Sequence, residues 1–321
     1  MNKFAGILAI AGALGATTAI STAAEVPAWA YPVVAPSGQA APDDGSAKHV
    51  PDSAVTFTHS QITAITGPVP DWHPDEHPAM PAIVAKGRPP QVFACGYCHL
   101  PTGAGRPENA SLAGLTPPYL KQQMIAFRNG ERPGAEPGRL PQTLMIALAK
   151  AATDAEIGEA AAYFASLKPA SFVKVVESAT VPKTVIAGWM LTTAPAGGTE
   201  PIGNRIIEMP EDFERTENRD SRTPYLAYVP VGSLKKGERL VTTGGEGRTV
   251  QCATCHGPEL KGLIDVPRLA GRSPSYLMRQ LYDLKNGLRT GGTSALMKPV
   301  VVNLTDEDMV SIVAYLASRE P

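Results

Sequence analysis

The sequence is poor in aromatic side chains, poor in charge and almost free of cysteine. Aromatic residues make up 6% of the 321 positions and charged residues 18%. The 29 basic and 30 acidic residues leave a net charge of −1, so the excess of Lys and Arg that binds nucleic acid is missing. We therefore expect no nucleic-acid partner. The 31 prolines and 30 glycines predict much irregular chain around compact helical segments.

Beyond the first two dozen residues, no hydrophobic run is long enough to cross a bilayer. Within them, Lys3 precedes an apolar stretch from Phe4 to Ile20, and small residues at 21–24 offer a cleavage site. This pattern is typical of a secretory signal peptide, and an uncleaved membrane anchor is the alternative. We predict a signal peptide at residues 1–24, export to the periplasm and a mature protein without a membrane span.

All four cysteines lie in two C-x-x-C-H motifs, at 95–99 and 252–256. This pattern is typical of c-type haem attachment, in which two thiols one turn apart bond to the haem vinyl groups and the adjacent His binds iron. The motifs therefore predict two covalently bound haem c groups. Their attachment residues would be Cys95, Cys98, Cys252 and Cys255, and their iron ligands would include His99 and His256.

Three other uses of these cysteines are weaker. Disulfides between such close cysteines are strained, and they leave the adjacent His unexplained. A thioredoxin-like motif needs a βαβ setting that neither pair has. A zinc site of Cys₄ or Cys₂His₂ type is conceivable, but the presence of two C-x-x-C-H motifs in matching surroundings favours haem.

The surroundings of the first motif recur around the second, 157 residues later. Further along, the spacing between matching residues falls to 152, as between Thr153 and Thr305. The first copy therefore has five extra residues, which we place within 133–140. A repeat whose period is that of a whole domain indicates tandem duplication. The matching residues of the first copy include Leu112, Ala113, Gly114, Tyr119, Leu120, Gln123, Asn129, Gly130 and Arg132.

The shorter spacing pairs Met145 with Met297, each eight residues before the Thr that opens the last helix of its copy. A thioether is a common sixth ligand of a haem c iron and raises the reduction potential. Core packing is the ordinary role of a methionine, and we assign it to Met124, Met278 and Met309 because apolar helical patterns surround them. Because the repeat retains Met145 and Met297, we predict that both bind iron.

Cap signals mark the helices of each copy. A middle helix begins at Thr116 in the first copy and at Ser273 in the second, each followed by proline, and ends at Asn-Gly. The last helix opens with a capping box at Thr153 and at Thr305. With a helix leading into each C-x-x-C-H motif, these signals predict a small all-α domain in each copy.

These motifs resemble those of class I cytochromes c, and as a tandem they resemble the cytochrome c4 family. The resemblance covers about 82–167 and 234–318. It implies an all-α fold with two tandem class I cytochrome c domains, here placed at 81–168 and 234–321. It also implies that one iron is bound by His99 and Met145 and the other by His256 and Met297. In that family the haem edges pack closely across a pseudo-twofold axis.

Two stretches lie outside the repeat. Residues 25–80, rich in proline and small residues, predict an extended N-terminal arm on the surface of the first domain. Within it, His73 and His77 could form a metal or haem ligand pair, but Pro74 and Pro78 break any helical face, so we favour a polar turn.

The second stretch, residues 169–233, predicts a long, partly β or irregular linker. Segments 172–176 and 184–191 look strand-like, and the mixed charges of 208–222 predict a solvated loop. A linker of this length is usually functional or partly disordered. It could cover a haem, dock a partner or hold the two domains in register.

The predicted function is electron transfer without catalysis, because two irons with His and Met ligands leave no open site for a substrate. The electron donor would be a quinol-oxidising complex or a periplasmic dehydrogenase, and the acceptor a terminal oxidase. One alternative is a cytochrome subunit of a periplasmic dehydrogenase, and a less favoured one is a di-haem peroxidase. Candidates for contacts to the haem propionates, with ordinary helix-surface roles as the alternative, are Tyr119, Tyr276, Arg132 and Arg289.

Overall fold

The structure, a computed structural model, describes residues 25–34 and 43–321. The predicted signal peptide at 1–24 lies outside the described residues. Among the helices that are described, none is both long enough and apolar enough to cross a membrane.

The first part of the chain is mainly helical. Its α-helices are α1 (His59–Thr63), α2 (Ala82–Ala85), α3 (Cys95–His99), α4 (Pro117–Arg128), α5 (Leu140–Ala151) and α6 (Asp154–Ser166). A short antiparallel pair, β1 (Ala47–Lys48) and β2 (Phe57–Thr58), and a 3₁₀ helix at Pro74–Glu76 lie in the N-terminal arm.

The caps that the sequence predicts for these helices are confirmed. The Thr116 hydroxyl accepts from the amide of Tyr119 at the start of α4. At the start of α6, the Thr153 hydroxyl accepts from the Glu156 amide at 3.2 Å, and the Glu156 carboxylate accepts from the Thr153 amide at 2.8 Å. Each cap satisfies amides that lack an intrahelical partner.

The helix expected to lead into the first motif is only one turn long. Pro81 precedes α2, and Gly87, with φ +67°, and the Pro89-Pro90 pair follow it. Proline cannot donate within a helix, and glycine at positive φ ends one. The chain therefore reaches Cys95 through an irregular segment rather than through a helix.

Residues 173–229 hold seven strands and one short helix. These are β3 (Val173–Glu177), β4 (Thr180–Pro182), β5 (Thr184–Ala187), β6 (Met190–Thr193), β7 (Thr199–Pro201), β8 (Ile207–Pro210), α7 (Phe213–Glu217) and β9 (Tyr225–Val229). Strand β9 pairs in parallel with β3 and antiparallel with β8. Strands β4 and β7 form one antiparallel pair, and β5 and β6 form another. We call residues 169–233 the insert.

Two expectations for the insert were wrong. Segment 184–191 is not one strand but a hairpin, because Gly188 and Trp189 both have positive φ and form its two-residue turn. The charged run 208–222 is not a solvated loop, since Glu208 and Asp220 are each only 2% exposed. Burial is possible because both carboxylates accept hydrogen bonds from other segments of the chain.

The second half is mainly helical. Its helices are α8 (Ser233–Thr243), α9 (Ala253–His256), α10 (Pro274–Lys285), α11 (Lys298–Val301) and α12 (Asp306–Ala317), with a 3₁₀ helix at Gly292–Met297. Helix α8 crosses α12 where Gly237 meets the backbone of Ser311. The absence of a side chain at Gly237 permits this close approach.

The main core joins the second half to the insert and to the start of the arm. Val173 of β3 and Tyr225 of β9 belong to the same buried cluster as Ile312 of α12. Tyr31 of the arm also belongs to it, and its hydroxyl donates to the Asp283 carboxylate at 2.8 Å. The arm therefore packs on the second half as well, whereas the sequence placed it on the first alone. Val69, later in the arm, packs against Tyr97 of the first half.

Candidate functional site

The two motif histidines have equivalent hydrogen bonds. Nδ1 of His99 donates to the carbonyl of Ala110 at 2.8 Å, and Nδ1 of His256 donates to the carbonyl of Pro267 at 2.7 Å. The acceptors are themselves 157 residues apart, like the histidines. A donating Nδ1 fixes the ring and leaves the Nε2 lone pair free, which is the usual arrangement of a metal-binding histidine.

Burial disfavours the protonated form of both imidazoles. It lowers the pKa of His99 and of His256, although the hydrogen bond from each Nδ1 to its carbonyl opposes the shift. Burial also raises the pKa of the Cys95 thiol to about 12 and that of the Cys252 thiol to about 11. A buried imidazole beside a thiol whose pKa is raised by burial is suited to an apolar macrocycle rather than to a hydrated ion.

A large cavity unites the predicted residues of the first site. About 1310 Å³ within the cavity is free of protein atoms, and part of this volume is open solvent. Cys95, Cys98 and His99 line one part of it, and Met145 of α5 also lines it. Most of the remaining lining is apolar and includes Ile83, Val92, Leu112, Leu115, Leu120, Phe127, Leu148, Ile157 and Phe164. The structure therefore brings together the two thiols, the imidazole and the thioether predicted for one haem.

The residues predicted for the second site lie in a different local setting. Cys252 and Met297 both pack against the main core cluster, and His256 is 8% exposed. Met297 ends a 3₁₀ helix, whereas Met145 lies within α-helix α5. The two methionines occupy corresponding places in the repeat but differ in backbone conformation.

The four candidates for propionate contacts meet at the boundary between the two halves. Arg132 donates to Gln123 at 2.9 Å and to Gln280 of the other half at 2.8 Å. Arg289 donates to the same two amide oxygens, at 2.9 Å and 3.1 Å. Since Gln123 matches Gln280 and Arg132 matches Arg289 in the repeat, this arrangement is pseudo-twofold symmetric. We define the boundary network as the two arginines, the two glutamines and the two tyrosines: Arg132, Arg289, Gln123, Gln280, Tyr119 and Tyr276.

The boundary network carries a strong positive field. Arg289 donates to the Tyr119 hydroxyl at 3.2 Å. Burial alone would raise the pKa of Tyr276, but Arg272, Arg132 and Arg289 together lower it to about 8. Guanidinium groups this close to one another stabilise anions.

Several buried guanidinium nitrogens have no protein partner. Among the described residues, the Nε atoms of Arg139, Arg268 and Arg272 are buried and make no hydrogen bond. Arg139 and Arg272 both line the large cavity. Buried donors without partners are costly, so these atoms fit a bound anionic group. The apolar lining, the thiols and the arginines together fit a haem with its propionates.

Sequence reasoning did not single out Arg139, Arg272 or the acceptor carbonyls of Ala110 and Pro267 as functional. Arg139 falls within 133–140, where we place the five extra residues of the first copy, and Arg272 directly follows the second Leu-Ala-Gly. A charged residue beside a repeated apolar motif was the available signal for Arg272. Backbone acceptors leave no signal in side-chain identity.

The histidines of the arm do not converge on a metal site. His73 Nε2 donates to Asp220 of the insert at 3.0 Å. His77 lies within hydrogen-bonding distance of Asp71 and of the Tyr163 hydroxyl instead. Within residues 25–34 and 43–321, no group of three or more His, Cys, Asp or Glu side chains is placed to hold a metal ion. The arm histidines therefore connect the arm to other segments, a role beyond that of the polar turn that we favoured.

Comparison with known proteins relates the chain to cytochromes. The Cytochrome c family model matches residues 234–320. The chain is 40% identical over 77 residues to cytochrome c-554(548) of Halomonas halodenitrificans, a match that covers 24% of this chain and 93% of that protein. It is 26% identical over 245 residues to cytochrome c4 of Azotobacter vinelandii, which covers 75% of this chain and 90% of that one.

A third relative is described as a thiosulfate dehydrogenase electron acceptor, from Thiomonas intermedia. It is 25% identical over 236 residues, covering 72% of this chain and 81% of that protein. The matches to the Azotobacter and Thiomonas proteins extend across much more of the chain than the part that matches the family model. The chain belongs to the cytochrome c family, as a class I cytochrome c that resembles cytochrome c4.

Proposed function

We propose that this protein is a periplasmic electron carrier with two covalently bound haem c groups. Cys95 and Cys98 would attach one haem, and Cys252 and Cys255 the other. The observation that carries the proposal is the duplicated bond from a motif histidine to a carbonyl, at Ala110 and at Pro267. Two copies of the same second-sphere contact support two iron sites of the same kind.

In this proposal, His99 and Met145 bind the first iron, and His256 and Met297 bind the second. Bound haem iron supplies a one-electron couple, and thioether ligation makes its potential high. The chain orients each imidazole through Nδ1 and surrounds the first site with apolar side chains that exclude water. The domains would comprise residues 81–168 and 234–321, with the arm at 25–80 and the insert at 169–233 as additions.

The boundary network would hold propionates between the domains. Tyr119 and Arg132 come from the first half, and Tyr276 and Arg289 come from the second. Because each arginine donates to residues of both halves, it can stabilise an anionic group without losing contact with either half. This supports close packing of the two haem domains.

The electron donor would be a quinol-oxidising complex or a periplasmic dehydrogenase, and the acceptor a terminal oxidase. A second candidate function is a cytochrome subunit of a periplasmic dehydrogenase. The thiosulfate dehydrogenase electron acceptor among the relatives favours this candidate, as does the folded, well-packed insert, which offers a docking surface. Co-purification from native periplasm separates the two, because a subunit stays with its enzyme and a mobile carrier does not.

Mass spectrometry of the exported protein tests the proposal. We expect the processed chain to carry two porphyrin adducts. The Cys95→Ala/Cys98→Ala and Cys252→Ala/Cys255→Ala variants serve as matched controls, and each should lose one adduct and keep the other. A wild-type mass equal to that of the bare polypeptide, or with a single adduct, would refute two-haem attachment.

Addition of carbon monoxide to the reduced protein tests the absence of catalysis. With both irons held by His and Met, the absorption spectrum should not change. Ready binding by one haem of the untreated protein would instead support a peroxidase.

A further inference from the structure

The buried charges near the boundary between the halves do not balance. Six arginines there are 7% exposed or less, and Arg289 is partly buried beside them. Three buried carboxylates accompany them, and Glu108 is already paired with Arg106 at 3.1 Å. The six arginines are Arg106, Arg132, Arg139, Arg268, Arg272 and Arg279, and the carboxylates are Glu108, Glu208 and Asp283.

The six buried arginines exceed the three buried carboxylates by three, and the partly buried Arg289 brings the excess of positive charge to four. Buried charges are retained in proteins when they are paired. Two haems carry four propionate carboxylates, which would supply the missing negative charge. The charge balance therefore matches the proposed haem content.

Two of the arginines mark the first cavity as different from the second site. Arg139 and Arg272 both line it, are 4% and 2% exposed, and have unpartnered Nε atoms. Arg139 is the N-cap residue of α5, the helix that carries Met145, and Arg272 reaches across from the second half to donate to the Ser111 carbonyl at 2.9 Å.

The repeat gives neither arginine a counterpart at the second site. At a spacing of 152 or 157 residues Arg139 is matched by Gly291 or Leu296, and the position that matches Arg272 is Leu115. The boundary network is thus common to both sites, whereas these two charges are additional. Arg272 also stacks on Tyr276 of the boundary network, 4.6 Å from the ring centroid, so Arg139 is the residue that separates the two sites.

We infer that Arg139 and Arg272 bind the propionates of the haem attached at Cys95 and Cys98, and that they make it the higher-potential haem of the pair. The inference rests on the proposed function. Ferric haem carries one more positive charge than ferrous haem, so a nearby guanidinium favours the ferrous form and raises the potential. Electrons shared between the two haems would then reside mainly on the first.

Potentiometric titration of the intact holoprotein tests this inference. Arg139→Gln should lower the equilibrium constant for reducing the first haem at least tenfold, which is 59 mV for a one-electron couple, and leave the second unchanged. Arg139→Lys, which keeps the charge, should restore most of the wild-type value. Arg239→Gln is the control, because it removes the same charge from the exposed face of α8.

The two titration waves are assigned in a Met145→Ala background, where loss of the thioether lowers the potential of the first haem alone. The remaining high-potential wave then belongs to the second haem, and Arg139→Gln should not move it. Arg272→Gln is an independent variant that should lower the first potential by more than the second.

Unchanged potentials in Arg139→Gln, or equal shifts of both waves in Arg272→Gln, would overturn the inference while leaving the proposed function intact. Absence of two porphyrin adducts in the wild-type mass would refute the proposed function and with it this inference. The mass of each variant therefore accompanies every titration.

Discussion

The guanidinium of Arg219 in the insert stacks on the ring of Tyr97, 3.6 Å from its centroid, and Nη1 donates to the Tyr97 carbonyl at 2.8 Å. Tyr97 is the third residue of the first C-x-x-C-H motif. Beside it, Trp72 of the arm donates to the carbonyl of Asn218 at 2.6 Å. The corresponding motif residue of the second copy, Thr254, is exposed. The insert and the arm therefore cover Tyr97 of the first motif, whereas the matching residue of the second motif is left exposed.

Replacing Arg219 with alanine should loosen this cover. We expect a loss of about 2 kcal/mol in the free energy of unfolding, since a desolvated cation–π contact and a charged hydrogen bond disappear together. Chemical denaturation measures the loss, and limited proteolysis should show faster cleavage within residues 169–233. Haem content should remain that of the wild type.

The control for this experiment is Arg222→Ala. Arg222 pairs with Glu76 on the same face, but both side chains are about one third exposed. An exposed ion pair contributes at most about 1 kcal/mol. If the two variants lost equal stability, the contact between Arg219 and Tyr97 would have no special role.

Gly237 fixes how closely α8 and α12 approach. A methyl group at this position would lie 2.0 Å from the Ser311 carbonyl oxygen and 2.7 Å from Cβ of Tyr315. Neither atom can move without shifting α12, so Gly237→Ala should cost about 3 kcal/mol in thermal or chemical unfolding. The loss should come from the second half, because the two helices belong to it.

Gly158→Ala provides the matched control on α6. A methyl group there would meet only the end of the Lys121 side chain, at 3.8 Å. Alanine has the higher helix propensity, so this variant should gain up to about 1 kcal/mol. Destabilisation of both variants by similar amounts would contradict the role assigned to Gly237.

The sequence was most informative where a residue acts through its own side chain. The cap residues Thr116 and Thr153 could be predicted because capping depends on one hydroxyl and a local backbone. The spacing between Cys95 and Cys252 likewise revealed the duplication. The duplication in turn matches each residue of the boundary network in one half with its counterpart in the other. These predictions needed only local pattern and period.

Tertiary partners explain what the sequence could not predict. The charged run around Glu208 indicated a loop, yet its carboxylate accepts from the Ser273 hydroxyl and the Ser275 amide inside the fold. No local signal shows that such partners exist, because they lie more than sixty positions away. For the same reason, the sequence could not predict that Arg272 lines the first cavity, because this position depends on how the two halves pack together.

Glu156 makes stability depend on acidic pH. Hydrogen bonds from Arg88, and from the Thr153 amide and hydroxyl, lower its pKa from 4.5 to about 2. The folded state therefore binds the proton less readily than the unfolded state. This contribution to stability is complete above about pH 4.5 and is lost as the pH falls through about 2.

Glu156→Gln tests this dependence because glutamine can still close the capping box but cannot pair with Arg88. At pH 7 the variant should be less stable by under about 1 kcal/mol, as expected for a partly exposed ion pair. The difference should shrink steadily in denaturant titrations carried out from pH 5 down to pH 2. Glu159→Gln, at an exposed position of the same helix, controls for the loss of one charge; an equal pH profile there would contradict the assignment.

Met145 and Met297 should each contribute about half of the intensity of the methionine-to-iron charge-transfer band at the red end of the oxidised spectrum. Met145→Ala and Met297→Ala should each remove about half of it, since a missing thioether opens one coordination sphere. Met278→Ala is the control, because Met278 is 1% exposed within the main core. It should cost about 2 to 5 kcal/mol of stability and leave the band intact. Retention of the full band in Met145→Ala would mean that Met145 of α5 does not supply the sixth ligand. Another element would then have to supply it.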